Sequence, residues 1–139
     1  RGDNVPSVDE FSDPKLGVFQ SDKELYHPLL SIEYIRKAKS YFDNAVFLIF
    51  SDTKEDIEWC KINIKGSKHY YSEGHDDLTD FFLMRACDHN IISNSSYSWW
   101  SAWLNENKNK IVIAPKRWFG SKYERLNLKD LYPKKWLVF

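Results

Sequence analysis

Between Asn90 and Asn105 the chain reads NIISNSSYSWWSAWLN, an apolar β-rich segment that runs straight into a turn of hydroxyl and amide side chains and then into an aromatic helix. That is the shape of a ligand site at the carboxyl end of a strand. From Ser93 to Ser98 every residue except Tyr97 is small and polar, leaving backbone N–H groups and hydroxyls uncovered at a helix start. The partial positive charge there favours phosphate. The alternative is plainer: Ser95, Ser96 or Ser98 caps the helix and does nothing more.

The rest of the chain alternates strand and helix at the same pace. Ser31 can cap a helix to about Phe42, and Ala45 to Phe50 is an apolar run of strand length, expected to be buried on both faces as in a parallel sheet. Asp52 or Thr53 opens a helix from Lys54 to Lys61, and Lys68 to Tyr71 forms a shorter strand. Asp76 or Asp77 begins a helix to about Cys87, Asn90 to Ser93 is a strand, Ser98 to Leu104 a helix, and Lys110 to Ala114 a fourth, closing strand. This alternation implies βαβ crossovers: an α/β fold, one Rossmann-like parallel sheet with flanking helices, and ligands outside the carboxyl ends of the strands. Residues 4–30 are loop-rich, with Pro6, Pro14 and Gly17 among charges, and Asn105 to Lys110 reads as an exposed turn. The tail Trp136 to Phe139 packs either on the sheet or on a partner domain.

At 139 residues the chain is one domain's worth. Arg1 is not a start methionine, and the expectation is that the sequence begins inside a longer reading frame. Twenty basic and twenty acidic residues balance, which argues against nucleic acid as a partner and makes any anion site local. Cys60 and Cys87 form no CxxC, and the expectation is two buried, reduced thiols. No run reaches the roughly 18 apolar residues of a membrane span. The Asn/Lys bias points to a bacterial genome, and the bacterial cytoplasm or the cytoplasmic face of a membrane is the favoured location.

Several chemistries lack support. There is no Asp-x-Asp, and His75-Asp76-Asp77 has no established ligand spacing, so no metal is expected. GxGxxG and P-loop motifs are absent, and His27, His69 and His89 sit in no catalytic pattern. A guanidinium can neutralise a departing diphosphate in place of a metal, and Arg1 is the candidate. Ser51 and Asp52 stand where doubly wound folds place nucleotide contacts, although either can cap the next helix. For the Asp76–Asp77 pair, capping suits Asp77 and a nucleotide contact suits Asp76. Core packing is the default for Trp99, Trp100 and Trp103, while Lys116, Arg117 and Trp118 could serve stacking, acceptor binding or a domain interface.

NIISNSSYSWWSAWLN followed by KIVIAPKRWF resembles the carboxyl-terminal signature of the α-1,2-fucosyltransferases, glycosyltransferase family 11. Arg1-Gly2-Asp3 is similar to the end of that family's HxRRGD motif, FLIFSD (Phe47 to Asp52) to its strand ending in Ser-Asp, and DFFLMRAC (Asp80 to Cys87) to the helix before the signature. The resemblance implies the carboxyl-terminal, donor-binding half of a GT-B glycosyltransferase, inverting and metal-independent. GDP-fucose is then the donor substrate, with no cofactor, the 2-hydroxyl of a galactose-containing glycan is the acceptor, and a missing amino-terminal domain completes the enzyme. It assigns Arg1 to the diphosphate, and Asp3 to holding the arginine or to acting as base; these are the catalytic candidates. Donor-binding candidates are Arg1, Ser51, Asp52, Asp76, Asn94, Ser95, Ser96 and Ser98. Ser101 stands where the family usually has glycine, which is expected to narrow the site. The alternative is a non-catalytic carbohydrate-binding module or a degenerate transferase domain.

Overall fold

The computed structural model describes residues 26–66 and 68–139. The elements alternate as expected: α1 (Ile32–Lys39), β1 (Phe47–Ile49), α2 (Lys54–Asn63), β2 (His69–Tyr71), α3 (Asp77–Ala86), β3 (Asn90–Ile91), α4 (Ser96–Trp103), β4 (Val112–Ala114), a 3₁₀ turn (Ser121–Tyr123) and β5 (Leu137–Val138). Three helix starts are set by short polar side chains that accept from the first-turn backbone: Ser31 from Tyr34 N–H, Thr53 from Asp56 N–H and Asp76 from Thr79 N–H. Asp76 is thus the cap of α3 and Asp77 its first residue, the reverse of the expected division between them.

All strand pairs are parallel, but the strands form two sheets, β1–β2 and β3–β4–β5. This corrects three expectations. The Ala45–Phe50 run is not buried on both faces: Val46 is 64% and Leu48 36% exposed, because β1 pairs only with β2 and its other edge borders an open cleft. Lys110–Ala114 does not close the sheet, because the tail adds β5 parallel to β4, with Phe139 N–H donating to Ala114 O (3.1 Å) and Lys116 N–H to Phe139 O (2.5 Å). The Asn105–Lys110 turn is not wholly exposed either. Asn105 is buried, and its amide donates to Cys87 O (2.6 Å) and Asn90 Oδ1 (2.9 Å), tying the ends of α3 and α4 to the start of β3.

The core lies on one face of the three-stranded sheet, where Ile92, Ala102, Val112, Ala114, Trp118 and Trp136 pack together with Trp99, Phe119, Leu128, Leu131 and Tyr132 around them. Ile113 alternates to the opposite face, fully buried. On that side α1 approaches β3, and the Tyr34 hydroxyl donates to Ile92 O (2.8 Å) and lies 3.1 Å from Ile113 O. Burial pushes the Tyr34 phenol well above its ordinary range. Trp99 and Trp103 stack at 5.3 Å and 12°, the Trp99 indole N–H donating to Leu131 O. Trp99 joins the core, whereas Trp100 and Trp103 remain about half exposed, so packing accounts for only part of the aromatic helix. Cys60 is buried, Cys87 is half-buried, and the two are not joined in a disulfide.

Candidate functional site

The loops leaving β1, β2 and β3 border one cleft of about 1180 Å³ between the two sheets. Ser51 and Asp52 come from the carboxyl end of β1, His75, Asp77 and Asp80 from the β2–α3 region, and Ser93, Ser95, Tyr97 and Ser98 from the β3–α4 turn. Parallel strands place their carboxyl ends on one side, so residues far apart in sequence converge there.

The β3–α4 turn differs chemically from the other helix starts. Ser95 occupies the N-cap with extended backbone (φ −123°, ψ 133°), yet no side chain caps α4. The Ser98 hydroxyl turns inward instead, towards Ser95 O (3.0 Å), Ser93 O (3.3 Å) and Ser93 Oγ (3.3 Å). Among the described residues, then, no side-chain cap satisfies the first N–H groups of α4, and an anion can take that place. Ser95 lines the cleft beside them, while Ser96 is the exposed first residue of the helix. Ser51 Oγ, buried and without a hydrogen-bond partner among the described residues, is a second uncommitted hydroxyl on the cleft wall.

Asn94 and Asp76 have structural work of their own. Asn94 is buried beneath the turn, its amide donating to Pro28 O (2.9 Å) and Trp118 O (3.1 Å), so it braces the turn from below. Asp76 does not line the cleft. Its hydrogen bonds from Thr79 hold the carboxyl below the usual carboxylate range. Trp118 is buried in the core and offers no face to a ligand. Ser101 is fully buried against α3, its hydroxyl donating to Ser98 O (2.9 Å) and lying 3.5 Å from Met84 Sδ, so it packs in the helix interface and does not itself line the cleft. Arg1 and Asp3 lie outside the described residues.

The field in the cleft is acidic. Asp52, Asp77 and Asp80 surround Tyr97, whose phenol is pushed up first by burial and then by these carboxylates, and whose hydroxyl donates to Asp77 O. Asp80 is held in turn by the Ser72 hydroxyl at 2.6 Å. Lys39 is the only lysine or arginine among the described residues that line the cleft. Sequence reading passed over Tyr97 and Asp80; the available signal was position, one on the first turn of α4 and the other on the first turn of α3. Among the described residues no three His, Cys, Asp or Glu side chains cluster as a metal site, and no helix is long and apolar enough to cross a membrane.

Fold and site together define an α/β domain of parallel strands and flanking helices, with an uncapped helix start opening on a cleft at the strand ends. Residues 18–139 match the sequence profile of glycosyl transferase family 11, and the chain belongs to that family. It is 39% identical to an α-1,2-colitosyltransferase of Escherichia coli over 99% of this chain and 44% of that protein. It is 39% identical to the O-antigen biosynthesis glycosyltransferase WbnK of the same species, over 68% of this chain and 33% of the relative. A galactoside α-(1,2)-fucosyltransferase 1 of Leontopithecus chrysomelas is 31% identical over 51% of this chain and 21% of its own length. The chain therefore spans less than half the length of these curated relatives. No solved structure matches it.

Proposed function

We propose that this chain is the donor-binding half of an inverting, metal-independent α-1,2-glycosyltransferase of the GT-B type, which moves L-fucose from GDP-fucose to a galactose 2-hydroxyl of a glycan. The observation that carries the reading is the uncapped start of α4 at the strand ends, in a chain of glycosyl transferase family 11. The N–H groups of Ser96, Tyr97 and Ser98 would receive the diphosphate. The Ser51 hydroxyl and the Asp52 carboxylate, on the opposite wall, suit ribose or guanine contacts.

The acceptor oxygen would attack the anomeric carbon as its bond to the diphosphate breaks, and the negative charge that develops on the leaving oxygen needs fixed positive dipoles. Helix N–H groups supply part of this. The acidic surroundings of Tyr97 mean that a cation must supply the rest, a role we give to Arg1; Asp3 would hold it or the acceptor proton. A colitosyl in place of a fucosyl group is the second reading, favoured by the colitosyltransferase that is similar along almost the whole chain.

Calorimetric titration in EDTA tests the reading, with GDP, GDP-fucose, GDP-mannose and UDP-galactose and a Ser96→Pro variant. Proline suits the first position of a helix, and the extended Ser95 accepts a following proline, so the substitution removes one N–H and little else. One lost charge-assisted bond of about 1.5 kcal/mol weakens GDP roughly tenfold. Equal binding of UDP-galactose and GDP-fucose, or a GDP affinity indifferent to the proline, would overturn the assignment.

A further inference from the structure

A path of hydrogen bonds runs through α3 and joins the two walls of the proposed donor site. It starts at the carboxyl end of β1, where Ile49 O accepts from the backbone N–H of Ser72 at 2.8 Å. Ser72 directly follows β2, is buried, and turns its hydroxyl to Asp80 Oδ1 at 2.6 Å, which fixes the first turn of α3 against the end of that strand. On the same turn, Asp77 O accepts from the hydroxyl of Tyr97, a residue of the first turn of α4. The Tyr97 ring packs edge-to-face with Phe81, their centroids 5.4 Å apart. Ile49 leads within three residues to Ser51 and Asp52, and Tyr97 stands between Ser96 and Ser98 at the uncapped helix start.

The two side chains at the ends of this path have no direct route to a ligand through the groups they commit to it. Ser72 does not line the cleft, so its hydroxyl acts on the site only through Asp80. Tyr97 does line it, but the hydroxyl proton is given to Asp77 O. The other ends of α3 and α4 are tied separately: Arg85 donates to Leu104 O at 2.8 Å and pairs with Glu106. The helices are thus held side by side at both ends, and the amino-terminal tie is the one beside the donor site. Asn94 braces the β3–α4 turn from below, and Tyr97 holds it from the side. Preorganised N–H donors stabilise an anion because they need not rearrange when the charge arrives, so what fixes them contributes to binding without touching the ligand.

We infer that Tyr97 and Ser72 are positioning residues of the donor site, acting in series through α3 to set the spacing between the α4 start and the end of β1. The inference rests on the donor assignment above. The Asp76 cap is a side branch of the path, because the backbone bond from Asp80 N–H to Asp76 O (3.0 Å) holds the turn whatever side chain stands at 76.

GDP calorimetry, together with backbone ¹⁵N order parameters of residues 96–98 in the free chain, tests it on Tyr97→Phe, Ser72→Ala, the double variant and Arg85→Met. Tyr97→Phe keeps the packing on Phe81 and removes only the hydroxyl. Each single variant of the path should weaken GDP by about three- to tenfold, the worth of one hydrogen bond. The double variant should lose no more than the larger single loss, because links in series break once. Order parameters should fall from about 0.85 towards 0.6 in all three. Arg85→Met, which cuts the far tie, should lower the urea midpoint yet keep GDP affinity within about twofold. A parent chain that ignores GDP overturns the donor assignment and this inference with it. A parent that binds GDP, with affinity and order parameters unchanged by Tyr97→Phe and Ser72→Ala, overturns the inference alone. So does a double variant whose losses multiply, or an Arg85→Met loss as large as that of Tyr97→Phe, since either means general loosening of the helix pair.

Discussion

Replacing Asn94 with alanine separates its bracing work from any direct part in donor binding. Its amide nitrogen donates to Pro28 O at 2.9 Å and Trp118 O at 3.1 Å, both within a buried environment that joins the segment before α1, the β3–α4 turn and the loop after β4. Alanine leaves two carbonyls without their donor. Each unsatisfied buried group costs about 1–3 kcal/mol, and since one nitrogen serves both, about 2–4 kcal/mol is the expected loss. With a urea dependence of roughly 2 kcal/mol per molar, the midpoint falls by about 1–2 M. Asn94→Asp should be at least as damaging at neutral pH, because it keeps the shape but turns a carboxylate oxygen towards two carbonyl oxygens. Equilibrium urea unfolding followed by tryptophan fluorescence reads both variants. A midpoint for Asn94→Ala within about 0.3 M of the parent would refute the bracing role and return Asn94 to the list of residues free to contact a ligand.

Tyr34→Phe removes the hydroxyl that reaches Ile92 O and Ile113 O and should cost about 1–3 kcal/mol at neutral pH. Since the folded pKa of Tyr34 is raised above 10.0, the unfolded chain ionises first, so stability present below pH 10 declines above it; the phenylalanine variant should show a shallower decline in urea midpoint between pH 9 and 11.5. Lys110 closes the carboxyl end of α4 with bonds to Ala102 O (2.8 Å), Trp103 O (2.9 Å) and Asn105 O (2.6 Å). Lys110→Met should cost about 1–2 kcal/mol after allowing for solvent, a fall of roughly 4–8 °C in Tm by calorimetry, and an unchanged Tm would sink this account. Asp76→Ala should loosen the start of α3 yet leave GDP affinity unaltered; a tenfold loss of affinity in a folded variant would instead restore Asp76 as a nucleotide contact.

Element order and the parallel pairing were legible in the residues themselves, because hydrophobic period and capping chemistry act over a few neighbours. Ser31 and Thr53 announce helix starts through bonds from N–H groups three positions on, which need no tertiary partner. The convergence of Ser51, Asp52, Ser95 and Ser98 on one cleft follows from parallel strands carrying their loops to the same end. The tertiary structure alone decided what depends on contacts between distant segments. The amide of Asn94 was committed to Trp118, Ser101 was set against Met84 rather than the site, Asp76 proved a cap, and the tail became β5. It also left Leu48 exposed in a run that reads as doubly buried. Burial belongs to the strand's neighbours as much as to its own side chains, and among the described residues β1 pairs with a strand on one edge alone.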